Sequence, residues 1–283
     1  MTTPKNIFTK VEIKLSLLSY SPKNRTFCIM TKKLYSPVLF LLSLFVFIPV
    51  NQPLQAQSAD NDYTTLVELF KEWRAFETPP LRDGAPDYTQ ETFEKRAPAF
   101  KTLYKKLQTI DTTSWSIPQQ VDWQIVNAEM NGYDFNHRIL KPWVRDPAYY
   151  KTLWMARSDV PAHEGPTHHG ITELWMYDFP LSKEASKKLL TDLSVIPAIN
   201  TQAKLNLTGN ARDLWVAGIR DIKNQSENLS SIKAMPGVSK DRKLIASIDA
   251  AITSTDEFAA WLESESASKT GPSGIGKENY TWY

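Results

Sequence analysis

Cysteine is almost absent from this 283-residue chain: Cys28 is the only one, and it lies upstream of a segment that reads as a secretory signal. Once that signal is removed, no disulfide, thiolate nucleophile, cysteine-ligated metal or lipid-anchor cysteine is available. An oxidising compartment suits such a chain, whereas a disulfide-stapled mini-domain is excluded. Excess basic charge is missing too. After Ala56 there are 26 basic and 30 acidic residues, a net charge of about −4, which leaves no electrostatic footprint for nucleic acid. No run alternates with period two, no repeat of fixed length occurs, and no G-x-S-x-G elbow is present. Extended sheets, solenoids and elbow hydrolases are thereby set aside.

What is present begins with the signal. In residues 30–56, Lys32 and Lys33 supply a basic start, Val38 to Val50 an apolar stretch too short to span a bilayer, and Leu54-Gln55-Ala56 a cleavage site. A signal starts at a start codon, so residues 1–29 are expected to be a mis-called upstream extension. The mature chain is expected to be periplasmic or secreted, with no membrane association after cleavage. Its roughly 227 residues can bury one large core or two modest ones. All nine tryptophans survive processing. That favours aromatic packing between helices over an aromatic-lined ligand cleft.

Helical spacing dominates. Leu66, Leu69, Phe70, Trp73 and Phe76 predict a helix stopped by Pro79 and Pro80. Thr89 is the expected cap of a second, marked by Phe93, Ala97, Phe100, Tyr104, Leu107 and Ile110, with Pro98 predicting a kink or a start near Ala97. Ser116 with Pro118 opens a third. Its stripes are Val121, Ile125, Ala128, Gly132, Phe135 and Ile139, and beside them Val126, Met130 and Tyr133, predicting a wide buried face. A short helix is expected around Leu174 and Trp175, then one capped by Ser182 and interrupted by Pro197. Ala211, Leu214, Trp215, Gly218, Ile219 and Ile222 give the cleanest stripe, and a last helix is expected from Ser239 through Leu262. The reading is an all-α bundle of about seven or eight helices: a helical domain over 57–268, then a glycine-rich linker and the opening of a following region over 269–283.

Unusual chemistry gathers in residues 142–179, with three of four histidines. His163-Glu164-Gly165-Pro166-Thr167-His168-His169 invites comparison with the zinc motif H-E-x-x-H. Threonine stands where the second histidine belongs, and Pro166 disfavours a helix. A turn gathering His163, Glu164, His168 and His169 around a metal remains open beside a structural polar turn. His137, on an apolar stripe, is expected to be a hydrogen-bonded core histidine. Residues 271–277 spell G-x-x-x-x-G-K, but Glu278 replaces the hydroxyl that would hold Mg²⁺, so a glycine-rich hinge is expected. Asp122, Glu129, Asp134, Asp159, Glu164 and Glu173 are expected mostly on solvated faces. Arg145, Arg157, Arg212 and Arg220 offer carboxylate clamps or, more commonly, ordinary ion pairs.

The stretches LKPWVRDPAYY, WMARSDVPAHEGPTHHGITELW, NLTGNARDLWVAGIR and SKTGPSGIGKENYTWY resemble the bacterial family named domain of unknown function 885. The resemblance implies a large, mostly helical, often exported protein, read as a zinc-dependent peptidase or related hydrolase. Its zinc motif, His-Glu-x-x-Pro-Gly-His-His, lies in a C-terminal half with no counterpart here. No catalytic, cofactor-binding or metal-ligating residue is therefore assigned to this chain; zinc is implied for the full-length family only. The expected partners are that C-terminal half and, with it, a peptide substrate. The competing expectation is a non-enzymatic exported helical module that binds a peptide or a partner.

Overall fold

A computed structural model describes residues 55–156 and 169–282. The signal segment ahead of Gln55, residues 1–29, Arg157, Asp159, His163, Glu164 and His168 lie outside the described residues. The architecture is all-α: nine helices and four two-residue strands among the described residues. Two of the nine are short, which leaves seven long helices.

The first three helices are α1 (Gln55–Glu77), α2 (Gln90–Gln108) and α3 (Ile117–Phe135). Leu66, Leu69 and Trp73 of α1 bury against Phe100, Leu103 and Leu107 of α2 and Val126, Met130 and Tyr133 of α3. Between α1 and α2, the strands β1 (Leu81–Arg82) and β2 (Ala85–Pro86) form a hairpin. Its turn residues Asp83 and Gly84 both take positive φ, 53° and 79°, the twist that two-residue hairpins require. The Thr89 hydroxyl caps α2 by accepting from Thr92 N–H at 3.4 Å. Helix α2 begins at Gln90, ahead of Ala97, and continues past Pro98, which is exposed, so water can satisfy the carbonyl that loses its donor. Helix α3 starts at Ser116 with Pro118 in its first turn as the sequence predicts, and there Gln119 Oε1 accepts from Ser116 N–H at 3.0 Å and from its hydroxyl at 2.8 Å.

The expected wide buried face of α3 is only half realised. Val126, Met130, Tyr133 and Phe135 are buried, whereas Ile117, Val121 and Ile125 are 77 %, 49 % and 52 % exposed. At the far end of the helix Trp282 stacks on Phe135 with centroids 4.9 Å apart.

The chain leaves α3 through a π-helical turn (Asn136–Leu140), closed by Lys141 N–H on the Asn136 carbonyl at 2.7 Å. Helix α4 (Pro142–Arg145) and a 3₁₀ turn (Pro147–Tyr150) follow. Strand β3 (Leu153–Trp154) pairs in parallel with β4 (Thr172–Glu173). The short helix expected around Leu174 is a single 3₁₀ turn, Leu174–Met176.

The second half is built on α5 (Lys183–Leu193), α6 (Ile196–Asn206), α7 (Arg212–Ile232) and α8 (Arg242–Ser266). Pro197 opens α6 in its first turn rather than interrupting a longer helix. The cap of α8 is Asp241, whose carboxylate accepts from Lys243 and Leu244 N–H, both at 3.1 Å, instead of Ser239. Helix α8 packs on α5, α6 and α7, and two apolar clusters fill the space. One joins Leu189, Leu193, Ile196, Leu229, Ile232, Leu244 and Ile248; the other joins Trp143, Tyr150, Ile199, Trp215, Ile222 and Phe258. A last helix, α9 (Lys277–Trp282), carries the Trp282 that reaches Phe135. Among the described residues, no helix is long and apolar enough to cross a membrane.

Candidate functional site

Two places combine uncommon residues with uncommon geometry. The first is a junction where residues far apart in sequence meet at the N-terminus of α7. That helix opens at Ala211, which has no side-chain hydrogen bond to give. The Ser273 hydroxyl takes the role from 60 positions away, accepting from Asp213 N–H at 2.7 Å and more loosely from Leu214 N–H at 3.4 Å. Asn210 Oδ1 accepts from Gly271 N–H at 2.7 Å, and Arg212 N–H donates to the Gly271 carbonyl at 3.1 Å. The Arg145 guanidinium donates to the Ser273 carbonyl at 2.8 Å, with longer contacts to Pro272 and Gly274.

Two glycines make this closeness possible. A Cβ on Gly209 would sit 2.8 Å from both the Val144 carbonyl and Arg145 Cγ. One on Gly218 would sit 2.7 Å from Pro147 Cβ and 2.9 Å from Ala148 N. Beside them Asp146 accepts from Ala148 N–H at 2.9 Å. Burial pushes the Asp146 carboxyl up to about 6; the Ala148 hydrogen bond opposes this and the nearby Asp221 charge adds to it.

The second place is a groove of about 250 Å³ between α2 and the π turn. Its apolar lining comes from Phe93, Ala97 and Phe100 on one side and Tyr133, His137 and Trp143 on the other. The π turn aims His137: its ring stacks on Tyr133 at 3.8 Å between centroids and meets Phe93 edge-on at 4.7 Å. Nδ1 of His137 lies 2.7 Å from the Tyr133 carbonyl. A carbonyl only accepts, so Nδ1 carries a proton. Burial holds its pKa down to about 4.

His137 is thus a hydrogen-bonded core histidine as read from sequence, although only one of its two nitrogens is satisfied. Of the histidine-rich turn, His169 alone is described, and its backbone brackets a hydroxyl. Tyr88 Oη donates to the His169 carbonyl at 2.7 Å and accepts from its N–H at 2.9 Å. Asp122 accepts from Tyr63 Oη at 2.6 Å, Asp134 pairs with Arg138 at 3.1 Å, and Glu129 pairs with Arg74 at 2.8 Å. These are structural partners: Asp122 and Glu129 tie α3 to α1, and Asp134 pairs one turn along the chain. Arg145 clamps carbonyls rather than a carboxylate. Residues 271–277 form a pinned strap, not a free hinge, and Glu278 opens the first turn of α9. Among the described residues, no three His, Cys, Asp or Glu side chains are grouped to hold a metal ion, and no reaction step is assigned to them. Sequence reasoning missed Ser273 and Gly209, whose roles depend on partners elsewhere in the chain.

No family model matches the chain, and no curated protein does. Among solved structures it is similar to one from Shewanella oneidensis described as "a putative lipoprotein of unknown function". The TM-score is 0.50 at 16 % identity, over 80 % of this chain and 41 % of that one. The likeness is one of fold, and the chain spans about two fifths of the length of the structure it matches.

Proposed function

We propose that this chain is the N-terminal helical scaffold of a longer exported protein of the domain of unknown function 885 type, inactive as a hydrolase by itself. In this reading the zinc ligands and the water-activating carboxylate of the whole protein belong to a region beyond Tyr283, and a peptide is its substrate. The junction carries the reading. Three of the four stretches on which the family resemblance rests converge there, and their distinctive residues position backbone instead of supplying acids, bases or ligands. The bare stripe on α3, beginning where α9 ends, is the kind of surface a further region would cover. The solved neighbour supports the reading twice, by being described as a lipoprotein and by extending well beyond the matched part.

The test is metal analysis with a peptidase assay on the isolated 283-residue product, together with the DNA downstream of Tyr283. The expected result is no stoichiometric zinc, no zinc-dependent turnover, and a following frame encoding His-Glu-x-x-Pro-Gly-His-His. Stoichiometric zinc that disappears on replacing His163 and His168 overturns the reading. A second reading, a non-enzymatic exported binding module, is favoured by the aromatic groove. It prevails if no such frame follows and the purified chain is monodisperse and unfolds in one cooperative step.

A further inference from the structure

Helix α3 turns an unusual side to solvent. Its exposed residues are two isoleucines, a valine, an alanine, a proline and two glutamines, and none of them carries a charge. Helix α2 beside it exposes Glu91, Glu94, Lys95, Lys101, Lys105 and Lys106. A helix whose outer side ends in water normally places charged and polar residues there, whereas charge is depleted at the centre of a protein interface. The carboxylates at the edge of the α3 face, Asp122 and Glu129, are already held by Tyr63 and Arg74.

The face is also graded in size. Ile117, Val121 and Ile125 raise its N-terminal half, while Ala128 and Gly132 leave the C-terminal half low, and a Cβ on Gly132 would meet nothing within 4 Å. Spacings of three and four put these positions on one side of the helix. Beyond Gly132 stands Trp282, 55 % exposed and stacked on Phe135. A two-fold axis passing between Gln124 and Ile125 would lay the raised half of one copy on the low half of another, with Ile117 opposite Gly132 and Val121 opposite Ala128. A two-fold contact brings groups near the axis against their own counterparts, so a charge there would meet its like. On this face there is none to meet.

We propose that the outer face of α3 is a docking surface for a second copy of this chain, the two α3 helices packing antiparallel about an axis between Gln124 and Ile125, with Trp282 of each copy closing over the Ile117 end of the other. The face from Ile117 to Gly132 is about 24 Å long, so two of them with their tryptophans bury roughly 1,000 to 1,200 Å² in total, the lower end of a specific interface. The dimer is therefore reversible, and the dilute chain is monomeric. A region following Tyr283 would compete for the same face, so the inference concerns the chain on its own and does not rest on the scaffold reading.

The experiment is sedimentation velocity on the purified exported chain over roughly 1 to 300 µM, with half-association expected at about 10 to 100 µM. Ile125→Lys sets two ammonium groups against each other at the axis and should weaken association about tenfold or more, with the circular dichroism unchanged. Leu205→Lys, at a 73 % exposed position on α6, should leave it as it is. Gln124→Cys, next to the axis, should give a disulfide-linked dimer on mild oxidation, whereas Lys101→Cys on α2 should not. A chain that stays monomeric at 300 µM overturns the proposal and leaves the face to another occupant. So does association that Ile125→Lys leaves intact, or that Leu205→Lys weakens equally, or cross-linking as efficient at position 101 as at 124.

Discussion

The junction and the groove lie at opposite ends of four residues, Pro142–Arg145, and they use similar material in opposite ways. At the junction every distinctive group has a partner: Arg145 its carbonyls, Ser273 its amides, Asn210 the strap, and Gly209 and Gly218 the backbone they admit. In the groove the rings are packed, but a lone pair and an indole N–H are left over. Hydrogen bonds between distant residues hold the junction together, whereas ring packing shapes the groove.

Overpacking the junction should have the largest effect. Gly218→Val forces a side chain into Pro147 and the Ala148 backbone and should cost about 1 to 3 kcal/mol or more in urea unfolding, whereas Ala97→Trp, filling the groove, should cost little. A Gly218→Val variant of native stability would erase the contrast.

Acid titration should separate the two regions by sign. The Asp146 carboxyl is held up at about 6, so the native state binds its proton before the unfolded chain does, and stability contributed here falls as pH rises from about 4 to 6. The His137 imidazole is held down at about 4, so its contribution is present above the ordinary histidine range and is lost as pH falls from about 6.5 to 4. Asp146→Asn should therefore stabilise the protein at neutral pH by about 1 to 2 kcal/mol, and His137→Phe should flatten the acid limb by a similar amount. Urea unfolding at a series of pH values measures both, and slopes of the same sign would contradict the assigned environments.

Removing the distant cap should be milder. Ser273→Ala leaves Asp213 N–H without its acceptor at an exposed helix end, a loss of about 1 kcal/mol, visible as earlier amide exchange in the first turn of α7. Smallest of all, Ile125→Lys on the bare face of α3 should change the stability of the isolated chain by no more than about 0.5 kcal/mol. A loss above about 2 kcal/mol would mean that the stripe is covered in solution.

Local signals were legible wherever the determinant and its effect lie within one turn. Thr89 and Ser182 cap their helices because the capping hydroxyl and the freed amides are neighbours in sequence, and Gln119 reaches back to Ser116 for the same reason. The all-α class followed from the helical spacing of apolar residues for the same reason. Burial was less legible. Spacing cannot tell which of two apolar stripes on α3 meets the core, and the longer stripe proved to be exposed over its first half, at Val121 and Ile125, and buried at Phe135. The junction was opaque because Ser273 and Asp213 are 60 residues apart and Arg145 and Ser273 are 128 apart. Gly218 read as one more position of the α7 stripe until the backbone beside it was placed. His137 was correctly assigned to the interior, but its unsatisfied nitrogen depends on a π turn that no local pattern announces.

That turn carries a further consequence. A π turn is an α-helical turn holding one surplus residue. Deleting a single position between Asn136 and Leu140 would rotate everything downstream by about 100° about the α3 axis. Trp143 would swing out from beside His137, and Arg145 would lose the strap in the same movement. One inserted residue thus sets the phase between the two regions, and neither could have arisen in its present form without it.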